Sequence, residues 1–341
     1  MSSYFSVQWH ITDDCDQCCK HCYIFSEGHP CITTMAWEEM LRTYAQIQAL
    51  CRSLGRIPYI YLTGGDPVLH PAFWDLLALF KADGTRFCVM GNPFHLTESV
   101  CARMKDCGCV KYQLSLDGLE KTHDSFRKPG SFRATVEAIR TIKRSGMWCA
   151  VMSTVSKTNM NEIPALIGLA DALGVDVYAF GRYCPTAAEK AHDTDMHIPP
   201  AEYREFLKRC WETYGRHRDS KTTFPLKDHL WALFLYEKGL LKLPQGDGVT
   251  DGCNCGRNHI TILPNGDVYA CRRMESKVGN VLQEELTAVW NGNGMNGYRQ
   301  YDRFIKCSRC ELKTVCRGCP AVSYGYTHDP YGADPQCWKE V

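Results

Sequence analysis

Three cysteines near the N-terminus, Cys15, Cys19 and Cys22, are spaced C-x3-C-x2-C. Three thiolates can hold three irons of a four-iron cluster and leave the fourth iron open to a small molecule. Cys18 lies inside the run, and its C-x2-C pairing with Cys15 could equally open a zinc site. Thr63-Gly64-Gly65-Asp66-Pro67 lies about one strand–helix unit downstream. Toward the C-terminus the cysteines become dense again. Cys253 and Cys255 precede Cys271, and Cys307, Cys310, Cys316 and Cys319 form C-x2-C-x5-C-x2-C, with Cys337 following. A four-cysteine zinc ribbon is the plain alternative there. Its paired cysteines are normally much further apart, and it leaves Cys255, Cys271 and Cys337 unexplained.

These residues need a frame to converge. β-rich runs occur at Phe5–Thr12, Pro58–Thr63, Thr85–Met90, Val110–Leu116, Trp148–Val155 and Asp176–Phe180. Segments with apolar residues at helical spacing separate them, as in Trp37, Met40, Tyr44, Ile47 and Cys51, or Ile163, Leu166, Ile167 and Ala170. Six strand–helix units predict an α/β fold with a parallel sheet, best a partial (β/α)6 barrel, with a doubly wound sheet as the alternative. Parallel barrels carry their chemistry at the C-terminal ends of the strands. The cysteine triad follows the first strand, Thr63–Pro67 the second, and Ser115-Leu116-Asp117-Gly118 the fourth. The expected organisation is a barrel over 1–182, a helical bridge over 183–252 and a cysteine-rich domain over 253–341. Gly246 to Gly252 reads as an exposed connection, and Pro264-Asn265-Gly266-Asp267 as a hairpin turn.

Composition narrows the class. The chain has 341 residues, net charge +1 and 45% apolar residues, so no global charge points to nucleic acid or an anionic membrane. No window is long and apolar enough to span a bilayer, and no signal peptide precedes Asp13 and Asp14. The 21 cysteines fit metal or cluster ligation in a reducing cytoplasm better than a secreted disulfide framework. Cys51, Cys88, Cys101, Cys149 and Cys210 fall among apolar positions and read as small core residues.

Taken together, these motifs resemble the radical S-adenosylmethionine (AdoMet) family, and the C-terminal cysteines resemble its SPASM subgroup. The resemblance implies AdoMet and three 4Fe–4S clusters. Cys15, Cys19 and Cys22 would hold the first. Cys255, Cys271 and Cys319, with Cys253 as a fourth ligand, would hold one auxiliary cluster, and Cys307, Cys310, Cys316 and Cys337 the other. The last pair is spaced x2 where the family usually has x3. Asp66 replaces the Glu of the family's GGEP motif. Gly64, Gly65 and Asp66 would meet the AdoMet ammonium, Ser115 and Asp117 its carboxylate or ribose, Arg127 its carboxylate, and His21 its adenine. The implied activity is radical modification of a ribosomally made precursor peptide, with thioether formation at cysteine preferred. Carbon–carbon crosslinking, epimerisation using Cys184 as hydrogen donor, and a sulfatase-maturase-like oxidation are alternatives. Arg272 stands where sulfatase maturases place an Asp, which argues against the last. Arg299, Arg303, Lys306, Arg309, Lys313 and Arg317 would dock an acidic electron donor such as flavodoxin or ferredoxin. No leader-binding module fits before Cys15, so leader recognition is expected to be weak, borrowed from a separate protein, or made by the barrel. The contrasting class is a zinc-stabilised scaffold without catalysis.

Overall fold

Alternating apolar residues build the first strand, β1 (Tyr4–His10), in which Phe5, Val7 and Trp9 are fully buried. The computed structural model describes residues 3–24, 32–185 and 196–341. The following elements are α1 (Trp37–Ser53), β2 (Ile57–Thr63), α2 (Phe73–Ala82), β3 (Phe87–Met90), α3 (Glu98–Asp106), β4 (Cys109–Ser115), α4 (Glu120–Phe126) and α5 (Ser131–Arg144). Next come β5 (Trp148–Val155), α6 (Ile163–Ala172), β6 (Val177–Arg182), α7 (Pro200–Arg216) and α8 (Leu230–Glu237). The C-terminal stretch holds β7 (His259–Ile262), β8 (Asp267–Tyr269), β9 (Lys277–Asn280), α9 (Leu286–Asn291), α10 (Asn293–Gly297) and α11 (Pro320–Thr327).

All six expected strands form. The described residues make two compact units that do not follow chain order. One holds Met1–Ser115, His123–Ala150 and Cys255–Arg299; the other holds Leu116–Thr122, Val151–Asn254 and Gln300–Val341.

In the first unit the strand order is β4-β3-β2-β1-β7-β8-β9. β1 to β4 pair in parallel, and β7 pairs in parallel with β1, Ser6 opposite His259 through Trp9 opposite Ile262. β7, β8 and β9 are antiparallel, joined through the expected turn at Pro264–Asp267. The cysteine-dense segment therefore contributes a strand to the same sheet as the N-terminal run. Hydrophobic periodicity could not show this, because strand partners leave no mark on spacing. α1 and α5 lay their apolar stripes on the core through Met40, Ile47 and Leu50, and through Ala138, Ile139 and Ile142.

The second unit contains β6 beside its neighbour β5, and packs α7 through Tyr203, Phe206, Leu207 and Cys210. An aromatic cluster of Trp211, Tyr214, Phe224, Trp231 and Phe234 fills it. Cys51, Cys88, Cys101, Cys149 and Cys210 are all buried, as their apolar neighbours suggest.

Candidate functional site

The segment leaving β1 runs directly into Cys15, and its backbone is tied on two sides. Thr12 O accepts from Gly65 N at 2.8 Å and Asp14 O from Asp66 N at 2.7 Å. On the other side Lys20 N donates to Phe126 O at 2.8 Å, Gln17 Nε2 to Ser131 Oγ at 2.5 Å, and Lys128 Nζ to Asp16 O at 3.0 Å. Cys22 N closes a turn onto Cys19 O at 3.0 Å. The cysteine loop is thus held by the exit of β2 and by the start of α5.

Four cysteines share this loop, but they are not equivalent. Cys15, Cys19 and Cys22 are half-buried, and a nitrogen is aimed at each sulfur: Asn92 Nδ2 at 3.9 Å, Arg127 Nη1 at 3.5 Å and Ile24 N at 3.4 Å. Donors of this kind stabilise anionic sulfur. Cys18 is exposed, sits in the left-handed region (φ 47°), and turns its sulfur to Cys15 O. Burial pushes the Cys15 thiol up, and the nearby charges of Asp66 and Cys22 push the same way. A metal centre would have to supply the charge that makes it a thiolate.

Among the described residues no three cysteine sulfurs lie within 4.8 Å of one another. A tetrahedral zinc, with Zn–S near 2.3 Å, draws its sulfurs to within about 4 Å. The donor sets therefore fit a larger inorganic unit better than a single ion.

Gly64 and Gly65 are required by the chain's own packing. A Cβ on Gly64 would lie 2.1 Å from Thr12 O, and one on Gly65 2.1 Å from Asp14 O. Asp66 is fully buried; its Oδ1 accepts from Val68 N at 3.3 Å, while Oδ2 has no partner. Burial pushes its carboxyl up to about 7; the Asp16 charge adds to this, and His95 and the Asn92 backbone oppose it. Gly91 must lack a side chain for Asp66 to sit here. A Cβ on Gly91 would already lie 2.7 Å from Asp66 Oδ1 and 2.3 Å from the Tyr112 hydroxyl. Asp16, Asp66 and His95 offer ligand atoms within 4.8 Å of one another, but Asp16 is already bonded to Asn92 at 2.6 Å and His95 at 3.0 Å. Gly91, Asn92 and His95 escaped the sequence reading; the one available signal was their position just after β3.

His21 meets the Phe126 ring edge-on at 5.5 Å. Arg127 reaches Cys19, as above, and Ser115 ends β4 half-exposed. In the second unit Asp117 is buried; Oδ1 accepts from Thr154 N at 2.8 Å and its carbonyl from Asn159 Nδ2 at 2.6 Å. These bonds fix the loop after β4. Cys184 is buried two residues beyond β6, its sulfur 3.8 Å from Arg182 O.

The C-terminal cysteines fall in both units. In the first, Cys255 Sγ donates to Ala270 O at 3.3 Å, which brings it beside Cys271. Arg272 lies 4.4 Å over the Tyr23 ring, so a cation occupies the position after Cys271. In the second unit Cys307, Cys310, Cys316 and Cys337 line one small pocket walled by Leu230, Leu233 and Leu312, with Lys306 and Lys339 at its edge. Burial pushes Cys307 up to about 12, with Cys337, Asp334 and Cys310 adding to it, and raises Cys316 and Cys337 for the same reason. Four convergent sulfurs in an apolar cradle fit a cluster that brings its own positive iron. Cys319 does not line that pocket. It and Cys253 lie near His229, a residue the motifs did not mark. Burial opposes its protonation, but a hydrogen bond to Cys253, with the Cys319 and Asp228 charges, pushes His229 up to about 9.

Four of the six basic residues expected to form a docking face are engaged by hydrogen bonds or an ion pair: Lys306 donates to Cys337 O at 3.3 Å and Lys313 pairs with Asp247 at 3.6 Å. Arg317 is buried and donates to Asp251 O at 2.8 Å and Cys253 O at 3.0 Å. Arg299 donates to Gly256 O at 2.6 Å and Trp290 O at 2.8 Å.

Comparison with known proteins agrees with this geometry. The family model "Radical SAM superfamily" matches residues 9–170, and the SPASM model, an iron–sulfur cluster-binding domain, matches residues 253–320. The chain is 26% identical to the AdoMet-dependent heme synthase of Nitratidesulfovibrio vulgaris, over 97% of this chain and 91% of that one. It is 26% identical to the mycofactocin maturase MftC of Mycobacterium ulcerans, over 97% and 87%. Streptococcus suis SuiB, solved bound to the precursor peptide SuiA, superposes with TM-score 0.75 at 16% identity, over 98% of this chain and 76% of that one. The fold is the α/β, TIM-like partial barrel of these proteins joined to a SPASM domain, and the cofactors are AdoMet and iron–sulfur clusters. With its cysteine loop at the exit of β1 and its second cysteine-rich segment, this chain belongs to the radical SAM enzymes that carry a SPASM domain.

Proposed function

We propose that this enzyme modifies a ribosomally made peptide, and that the modification is a thioether between a peptide carbon and a cysteine sulfur. One observation carries the radical chemistry: Cys15, Cys19 and Cys22 each face a nitrogen donor while Cys18 turns away. Bound AdoMet and a reduced cluster would supply a 5′-deoxyadenosyl radical able to take a hydrogen atom from carbon. In this reading three cysteines hold three irons. The loop of Gly64, Gly65 and Asp66 receives the AdoMet ammonium, Arg127 and Ser115 its carboxylate and ribose, and His21 its adenine. Asp117 shapes the loop that presents Ser115.

The MftC and SuiB likenesses support a peptide substrate, and Arg272 in place of a carboxylate speaks against sulfatase maturation. Closing a thioether removes two hydrogens from the peptide. One leaves as an atom to the radical, the other as a proton, and one electron must be accepted. The cradle of Cys307, Cys310, Cys316 and Cys337 offers a place for that electron. Exposed Arg303 and Arg309 suit an acidic electron-transfer partner of the flavodoxin or ferredoxin kind. No described helix is long and apolar enough to cross a membrane, and we place the protein in the cytoplasm, where thiols stay reduced.

The heme synthase likeness favours a second reading, radical chemistry on an iron tetrapyrrole. One experiment separates the two. The reconstituted protein, reduced under anaerobic conditions with AdoMet, is offered a co-encoded cysteine-containing peptide or an iron tetrapyrrole. The expected product is peptide lighter by two hydrogens per crosslink. Turnover of the tetrapyrrole alone would refute the peptide reading, and absence of 5′-deoxyadenosine with every substrate would refute both.

A further inference from the structure

One heavily bonded charged group in the second unit is marked by no motif. Arg182 ends β6 with its side chain fully excluded from solvent. Its Nε donates to Asp228 Oδ2 at 2.8 Å. Nη1 and Nη2 grip the two Asp334 oxygens at 2.8 Å each, and Nη1 also reaches Gln336 Oε1 at 3.1 Å. Both carboxylates are nearly as buried as the guanidinium. A lone structural ion pair would explain burial with pairing, but it would not explain where the far sides of these carboxylates go.

Asp334 Oδ2 also accepts from Cys319 N at 3.1 Å, Oδ1 from Gln336 N at 3.1 Å, and the Asp334 carbonyl from Cys337 N at 3.1 Å. Asp334 also presses on the turn before Cys319. Gly318 has φ +65°, and a Cβ there would lie 3.0 Å from Asp334 Cβ and 3.6 Å from Cys307 Sγ. Asp228 caps the start of α8 by accepting from Leu230 N at 3.0 Å, next to His229. Arg182 is thus one residue removed from the segments carrying Cys319 and Cys337, and from the His229 turn.

We propose that Arg182 is a positioning residue for the auxiliary cradle. By neutralising Asp334 it lets a buried carboxylate lie beside anionic cysteine ligands and hold the Cys319 and Cys337 segments in place. Without the guanidinium, Asp334 would be an uncompensated buried charge next to sulfurs that must become thiolates. With neither charge present, the segments would need only packing and neutral hydrogen bonds. The role is therefore electrostatic and reversible by a second substitution.

This inference rests on the auxiliary-cluster reading above, and the test separates the two. Full-length protein is prepared anaerobically with its clusters as wild type, Arg182→Lys, Arg182→Met, Asp334→Asn, and Arg182→Met with Asp334→Asn. Iron per chain, the midpoint potentials of the auxiliary signals and substrate-free 5′-deoxyadenosine are measured. Wild type should hold about twelve irons. Arg182→Met should lose about four of them while still cleaving AdoMet. Arg182→Lys should keep its iron. Asp334→Asn should shift an auxiliary signal to higher potential, because a negative charge near the cluster is gone. The double variant should regain the lost iron. Full iron with unshifted signals in Arg182→Met, or no recovery in the double variant, would overturn the proposal. About four irons in wild type would instead overturn the auxiliary-cluster reading itself.

Discussion

At the residue scale, Asp66 combines burial, a free oxygen and a raised pKa. A carboxyl whose folded pKa lies above its ordinary 3.8 is held preferentially in the protonated form. Its stabilising contribution is complete below that value and is lost as pH rises through about 7. Iron-free protein should therefore lose up to about 4 kcal/mol between pH 4 and 7 from this group alone. Asp66→Asn should flatten that part of the curve in urea titrations; equal slopes in both proteins would contradict the burial argument. Asp66→Glu forces an extra methylene against Gly91 and Tyr112 and should cost about 1–3 kcal/mol in the same titrations. Among the cysteines, Cys19→Ser should abolish AdoMet cleavage, whereas Cys18→Ser should leave it near wild type. If both variants are equally inactive, the distinction drawn from donor geometry is wrong. Cys184→Ala should leave thioether yield unchanged; loss of that product would mean that Cys184 takes part in forming it.

The triad's loop is anchored because β1 lies between β2 and β7 in a parallel sheet. Ile260, fully buried on β7, pairs with Val7. Ile260→Ala should cost about 2–5 kcal/mol, read as a lower urea midpoint with an unchanged slope. A near-neutral effect would mean that β7 contributes little to the sheet. Most elements were legible because their apolar residues recur every second or every third to fourth position. α3 was not, since it buries only Cys101 and Met104 from its own length, too few to define a stripe. The pairing of β7 with β1 was also hidden: the two lie some 250 residues apart, and backbone hydrogen bonding is blind to side-chain type.

For the whole molecule, the balance between buried thiols and bound iron should govern stability. The Cys307, Cys316 and Cys337 thiols are held protonated by burial. Iron that binds the folded chain and not the unfolded one adds its binding energy to folding. Chelation under anaerobic conditions should therefore lower the melting temperature, and identical melts with and without iron would exclude a structural role for the clusters. The sequence by itself determined the α/β class and the family, because period and spacing are local properties. Only the tertiary structure revealed why Gly64, Gly65 and Gly91 must lack side chains, and that Asn92, His229, Arg182 and Asp334 attend the cysteines. Those relations depend on burial and on hydrogen bonds between residues far apart in the chain, and neither is encoded in any short stretch of residues.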